Sequence, residues 1–94
     1  MAVALGELPA GDPAVLSPYQ LQVVHCLCAP WLAGEGLESM PSNAQIAEGL
    51  GTPDAQGAVK AALRRAYSKA GLTHLPAQEK RRRLCPVARQ RGWI

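Results

Sequence analysis

The sequence predicts an all-α domain of four helices, three forming a core and the fourth following at the C-terminus. Apolar residues recur at helical spacing, and the alternation typical of strands is nearly absent. Hydrophobic residues make up 48% of the chain, mostly leucine and alanine, and there is no phenylalanine. Ninety-four residues form one small domain, whose core is adequate only if its helices pack closely.

The first helix is expected to begin after Ser17. Residues 1–15 are rich in glycine, proline and alanine and predict a flexible lead-in to a domain over residues 16–94. Ser17 and Gln20 have the spacing of a capping box, with a proline at the first helical position. Pro30 is expected to bend or end the helix. Its predicted core stripe is Leu21, Val24, Leu27, Cys28 and Trp31.

A second capping box, Ser42 with Gln45, predicts a short second helix. Gly51 follows its last apolar residue, at the position where a left-handed backbone ends a helix. Thr52 is then expected to cap a third helix, with Pro53 at the first helical position. The apolar face of the second helix is formed by Ile46, Ala47 and Leu50.

The third helix is expected to run to about Ala70 and to be closed by Gly71. Small apolar side chains recur along one side, so that a neighbouring helix can approach closely. This buried stripe is predicted to contain Ala55, Val59, Ala62, Leu63, Ala66 and Ala70.

A short helix, a tight turn and a longer helix are the pattern of a helix-turn-helix. On the longer helix, Gln56, Lys60 and Arg64 recur every four residues on one face. These side chains can bond base edges or phosphates in the major groove of DNA. The alternative is an ordinary solvated helix face. Two further cations, Arg65 and Lys69, lie beside this stripe.

The last helix is expected to begin near Ala77 and to carry a run of four cations over residues 80–83. This run extends the basic surface of the third helix, so Arg81 and Arg82 are predicted to contact backbone phosphates. Pro86 is expected to kink the helix or restart it. The chain end, Trp93 and Ile94, is expected to fold back onto the core.

Charge is distributed very unevenly along the chain. All ten Lys and Arg residues lie within residues 59–94 against Glu79 alone, a net of +9. Residues 1–58 hold the other six acidic residues and no Lys or Arg. The split predicts an anionic partner for the basic half, and leaves open that the acidic half faces another protein.

The three cysteines are an odd number, which excludes a complete disulfide framework. Cys26 and Cys28, with His25, lack a second ligand pair at zinc-finger spacing, so buried thiols are the preferred interpretation. The apolar start MAVAL lacks the basic flank and length of a signal peptide, and no run could span a membrane. These features predict a cytoplasmic protein.

Several stretches resemble the LuxR/GerE-type DNA-binding domain, a four-helix helix-turn-helix. LSPYQLQVV is similar to the family's opening helix, NAQIAEGL to its scaffold helix, and LCPVARQRGWI to its last helix. The resemblance covers roughly residues 16–94. It is strongest in VKAALRRAYSKAGL, which matches the recognition helix and its close at Val59, Lys60, Lys69, Gly71 and Leu72.

The chain also departs from the family pattern. The loop over residues 29–41 and the turn before the recognition helix are longer than usual in the family. Ala58 and Ala62 stand where the family has Thr and His, so Lys60 is the family DNA-contact position that carries over. The resemblance implies a DNA-binding module that often follows a regulatory domain and dimerises through its last helix.

The predicted function is therefore a DNA-binding transcription regulator, or the DNA-binding module of one, with double-stranded DNA as partner. A protein-interaction module of the same fold is the alternative, and RNA binding is a weaker third. The sequence has no Ser/His/Asp set, cleft carboxylate pair or phosphate-cradling glycine loop, so neither an enzyme nor a cofactor is predicted. The predicted DNA contacts are Thr52, Gln56, Lys60, Arg64, Arg65, Lys69, Arg81 and Arg82.

Overall fold

The computed structural model describes residues 15–36 and 39–94, and in them it contains four helices and no strand. The all-α prediction is confirmed. The predicted lead-in, residues 1–15, lies outside the described residues except for Val15. The helices are α1 (Pro18–Leu32), α2 (Asn43–Gly49), α3 (Gln56–Lys69) and α4 (Ala77–Gln90).

Both predicted capping boxes are present. The Gln20 N–H donates to Ser17 Oγ at 3.1 Å, and the Ser17 N–H donates to Gln20 Oε1 at 2.9 Å. The Gln45 N–H donates to Ser42 Oγ at 3.2 Å, and the Ser42 N–H donates to Gln45 Oε1 at 2.9 Å. Each pair satisfies two backbone donors that a helix start would otherwise leave unpaired, so these two serines fix where α1 and α2 begin.

The glycine predicted to end α2 does so in the left-handed conformation. Gly51 has φ of 79°, which an L side chain rarely adopts. Its N–H donates to the Glu48 carbonyl at 3.0 Å, and the Thr52 N–H donates to the Ala47 carbonyl at 2.9 Å. This Schellman motif satisfies two terminal carbonyls of α2. The other three helices end in the same way, at Gly34, Gly71 and Gly92.

The prediction that Thr52 caps α3 was wrong. Because Thr52 already belongs to the motif that closes α2, its N–H is bonded backwards to α2. Its carbonyl instead accepts from the Ala55 N–H at 2.9 Å, which makes a separate turn that contains Pro53. α3 therefore begins at Gln56, with Ala55 as an N-cap that makes no side-chain hydrogen bond.

Neither α1 nor α4 ends at its internal proline. α1 continues past Pro30 to Leu32, and α4 runs unbroken through Pro86 to Gln90. Each proline removes one helix hydrogen bond and costs about 3 kcal/mol in a helix interior. Burial of neighbouring apolar residues offsets this cost, since Pro86 directly follows the fully buried Cys85. Of the two alternatives expected at Pro86, a kink or a restart, the restart does not occur.

α3 lies at the centre of the packing, against α1 and α2, and α4 packs chiefly on α1. The predicted stripe of α3 is buried except for Ala55, which is half-buried at the helix start. At the chain end Trp93 is buried and Ile94 packs against the core, as expected. The largest fully buried side chains are Leu27, Ile46, Leu84, Val23, Val24 and Val59.

Cys28 of α1 and Cys85 of α4 form a disulfide, with their Cα atoms 5.6 Å apart. The expectation of a buried thiol was wrong for Cys28, which is fully buried but bonded to Cys85. Cys26 is unpaired, as expected, but it is not fully buried. Only the half-buried Cys26 is a free thiol among the described residues. Disulfides persist mainly in oxidising compartments, so cysteine usage no longer argues for a cytoplasmic protein.

None of the helices in the described part of the chain is long and apolar enough to cross a membrane.

The disulfide is expected to be the largest single covalent contribution to stability. It closes a span of 57 residues, for which the chain-entropy account gives about 4 kcal/mol. Replacing both partners, Cys28→Ala with Cys85→Ala, should lower the thermal midpoint by at least about 10 °C in a domain of this size. Calorimetry or circular dichroism measures it.

The matched control is Cys26→Ala, which removes an unpaired, half-buried thiol and should change the midpoint by only a few degrees. A wild-type midpoint that is the same with and without dithiothreitol, after full reduction is verified by thiol titration, would contradict the stabilising role.

Candidate nucleic-acid interface

The predicted cationic face of α3 points to solvent. Burial of Val59 and Leu63 against the other helices turns the opposite side outward, and Gln56, Lys60, Arg64 and Arg65 are exposed there. Gly57, Ala61, Arg64 and Ser68 form a row along the middle of this face. Arg64 is the only long side chain in that row.

Nothing within the described residues neutralises the three exposed cations of α3. Across residues 15–36 and 39–94, no ion pair or hydrogen bond engages the side chains of Lys60, Arg64 or Arg65. Since an unpaired surface cation keeps its full attraction for an outside anion, this face is suited to a negatively charged partner.

A groove lies between α3 and α4, and we call it the α3–α4 groove. Its volume is about 260 Å³. Lys60 and Arg64 line it from α3, and Lys80 and Arg81 from α4. No carboxylate is among the described residues that line it, which are completed by Asn43, Leu63, Tyr67 and Ala77. Four cations without a counter-charge give the groove a positive potential.

Arg81 also has a structural role that the sequence did not indicate. Its guanidinium is half-buried and donates to Asn43 Oδ1 at 3.0 Å and to the Pro41 carbonyl. These bonds tie α4 to the start of α2 across about 40 residues of sequence. A guanidinium has five N–H donors, so Arg81 can still face the α3–α4 groove. Its predicted phosphate contact stays a prediction.

Two residues of this groove, Tyr67 and Lys80, were not among the DNA contacts predicted from the sequence. Lys80 Nζ lies 5.7 Å from the centroid of the Tyr67 ring, within the range of a cation–π interaction. Burial raises the pKa of the Tyr67 hydroxyl above 10.0, and the neighbouring Arg81 guanidinium partly opposes that rise. Tyr67 follows Lys60 by seven residues, the helical spacing that could have indicated it.

The remaining predicted cations differ in how far they are engaged. Lys69 is half-buried, and its Nζ donates to the Val15 carbonyl, which fixes the chain entering α1. Arg82 lies 3.8 Å from Glu79, and Arg83 lies 3.3 Å from the same carboxylate. Exposed pairs of this kind contribute about 0–1 kcal/mol, so both arginines can exchange Glu79 for another anion.

Arg65 is on the other flank of α3. It lines a shallow groove between α1 and α3 together with Ser17 and Tyr19. The Tyr19 hydroxyl is buried and has no hydrogen-bond partner among the described residues. α3 therefore carries cations along both flanks of its exposed face.

The start of α3 contributes backbone donors, although Thr52 does not. Thr52 is a predicted DNA contact and is exposed, but its N–H is bonded to the Ala47 carbonyl, so its backbone amide is not available to a phosphate. The first helical hydrogen bond of α3 is donated by Val59 to Ala55. The amides of Gln56, Gly57 and Ala58 precede that bond and face the helix N-terminus, where anions are favoured.

No group of three His, Cys, Asp or Glu side chains in the described part of the chain is placed to hold a metal ion.

Comparison with known proteins yields no match: no family model fits the chain, and no curated protein or solved structure is significantly similar to it. The resemblance to LuxR/GerE-type domains therefore stays a prediction that rests on the residues quoted above.

Arg81→Met is expected to destabilise the fold by about 1.5–3 kcal/mol. The substitution keeps an apolar stem but leaves Asn43 Oδ1 and the Pro41 carbonyl without their charged donor. Urea denaturation followed by circular dichroism measures the change.

Arg82→Met is the control, because its guanidinium makes only an exposed contact with Glu79, and its effect should stay within about 0.5 kcal/mol. Equal denaturation midpoints for the two variants would show that Arg81 does not brace α2 to α4.

Proposed function

We propose that the chain is a helix-turn-helix DNA-binding protein, a transcription regulator or the DNA-binding module of one. α2 and α3 form the helix pair, and α3 would enter the major groove of double-stranded DNA. The observation that carries the proposal is the exposed face of α3, where Lys60, Arg64 and Arg65 have no partner within the described residues. A face that is unneutralised and cationic favours a polyanion.

The positions of the side chains suggest how they would divide the work. Arg64 lies in the middle of the exposed face among small residues, so it would reach base edges, with guanine as the preferred partner of an arginine fork. Gln56 would read bases from the start of α3. Lys60 and Arg65, on opposite flanks, would contact phosphates of the two strands.

The cations outside this face would act in two ways. Arg82 would add a phosphate contact in exchange for Glu79. Lys69 and Arg81 are already bonded to carbonyls within the protein, so they would mainly hold α3 and α4 in place. The predicted homodimer through the last helix belongs to this proposal, and so does the predicted cytoplasmic location. In a reducing compartment, the full burial of Cys28 and Cys85 would protect the disulfide from attack by reducing thiols.

A protein-interaction module is the second candidate, and one feature at the end of α1 favours it. Leu32 is 43% exposed, and it follows the half-buried Trp31 in the acidic half of the chain. On this proposal, Leu32 and Trp31 would supply the apolar part of a surface for a protein partner. Charge reversal on α3 would leave such a partner bound.

Duplex DNA should bind with a steep salt dependence. Fluorescence anisotropy of a labelled mixed-sequence duplex, titrated with the protein over a salt series, should give a log–log slope of about −3, for the three phosphates assigned to Lys60, Arg65 and Arg82. The variant Lys60→Glu with Arg64→Glu should lose at least about 100-fold in affinity, since it removes two cations and adds two repelling charges.

The matched control is Arg89→Glu with Arg91→Glu, which makes the same change in net charge on exposed arginines at the far end of α4. It should weaken binding far less than the α3 variant. A slope near zero, or equal losses in both double variants, would contradict the assignment of the interface to α3.

A further inference from the structure

We propose that the α3–α4 groove is a phosphate-binding site formed by Lys60, Lys80 and the hydroxyl of Tyr67. The phosphate is a backbone phosphodiester of DNA, and this identification of its source rests on the proposed function. The inference adds two residues, Tyr67 and Lys80, to the interface, beside Lys60, which the proposed function already places on a phosphate.

Charge selects an anion as the ligand. The groove combines cations from two helices, and none of its described lining residues is acidic. Glu79, the nearest acidic residue in sequence, pairs with Arg82 and Arg83 and does not line the groove. An anion that enters therefore meets attraction from both walls and repulsion from neither.

The Tyr67 hydroxyl supplies a neutral donor beside those cations. No hydrogen bond among the described residues uses the Tyr67 hydroxyl hydrogen, so it is available to an acceptor that enters the groove. Because burial raises its pKa, Tyr67 stays protonated at neutral pH and does not add a negative charge.

The site is held in position before any ligand arrives. Arg81 is bonded to Asn43 and Pro41, and this fixes the α4 wall of the groove. Lys80 rests over the Tyr67 ring with its ammonium 5.7 Å from the centroid, so one residue orients the other. Less ordering is then required on binding, which favours affinity.

The position of the groove suits a phosphate of DNA. The α3–α4 groove opens on the same side as the exposed face of α3 through Lys60 and Arg64. A phosphate beside a helix lying in the major groove fits this position.

The test compares Tyr67→Phe and Lys80→Gln in the duplex titration described above. Tyr67→Phe removes one neutral hydrogen bond, so affinity should fall about 2- to 10-fold with no change in salt slope. Lys80→Gln should lower both the affinity and the slope, the slope by about one unit. The matched control for Tyr67→Phe is Tyr19→Phe, whose hydroxyl is buried on the other flank of α3. The matched control for Lys80→Gln is Arg83→Gln. Each control should bind duplex DNA more tightly than the variant with which it is paired.

A second measurement separates this inference from the proposed function. Inorganic phosphate is titrated into ¹⁵N-labelled full chain at constant ionic strength, with chloride as the reference anion. Amide shifts at Lys60, Tyr67 and Lys80 that are lost in Lys80→Gln would support the site independently of DNA. They would do so even if no duplex bound, in which case the proposed function fails and a free phosphorylated molecule becomes the source.

Two results would overturn the inference. In the first, Tyr67→Phe and Lys80→Gln both bind duplex with the affinity and salt slope of the wild type, while Lys60→Glu with Arg64→Glu abolishes binding. The proposed function would then stand without this site. The other is the absence of any phosphate-specific shift in the groove together with the absence of duplex binding, in which case both proposals fail.

Discussion

The burial of one side of α3 between α1 and α2 is the constraint on which the rest of the structure depends. Val59, Leu63 and Ala66 are almost completely removed from solvent, and they can be so only with α3 in one rotational setting. A helix that buries one stripe must expose the opposite one. The apolar contact thus decides which side of α3 meets solvent, and that side carries Lys60 and Arg64, which have no partner within the described residues. Stability and the candidate interface arise from the same orientation.

Two cross-links join α4 to the other helices, in addition to its buried apolar residues. The disulfide between Cys28 and Cys85 joins it to α1, and the Arg81 guanidinium joins it to the start of α2. These cross-links fix the orientation of α4, so the four cations over residues 80–83 point in different directions around the helix. Lys80 faces the α3–α4 groove, Arg81 bonds inward, and the next two arginines share Glu79. Four adjacent charges therefore do not form one uniform basic patch.

Much of the architecture could be predicted because its signals are local. The capping boxes at Ser17 and Ser42 act over three residues, and Gly51 ends α2 through its own backbone conformation. The prediction for Thr52 failed because two local signals overlapped. The Thr52 N–H closes α2, and its carbonyl accepts from Ala55 in a separate turn, so α3 begins only at Gln56, too far along the chain for Thr52 to cap it. For the candidate site, the exposure of Gln56, Lys60 and Arg64 followed from helical period alone.

The sequence by itself determined that the chain is helical, where most helices begin and end, and which face of α3 carries charge. Each of these depends on interactions within about one turn of helix, which the order of residues specifies directly. Only the tertiary structure decided that Cys28 pairs with Cys85, that Arg81 spans to Pro41, and that Tyr67 meets Lys80. Those contacts join residues on different helices, and their distances depend on how the helices pack. No spacing along the chain encodes that packing, so the walls of the groove appear only once the four helices are assembled.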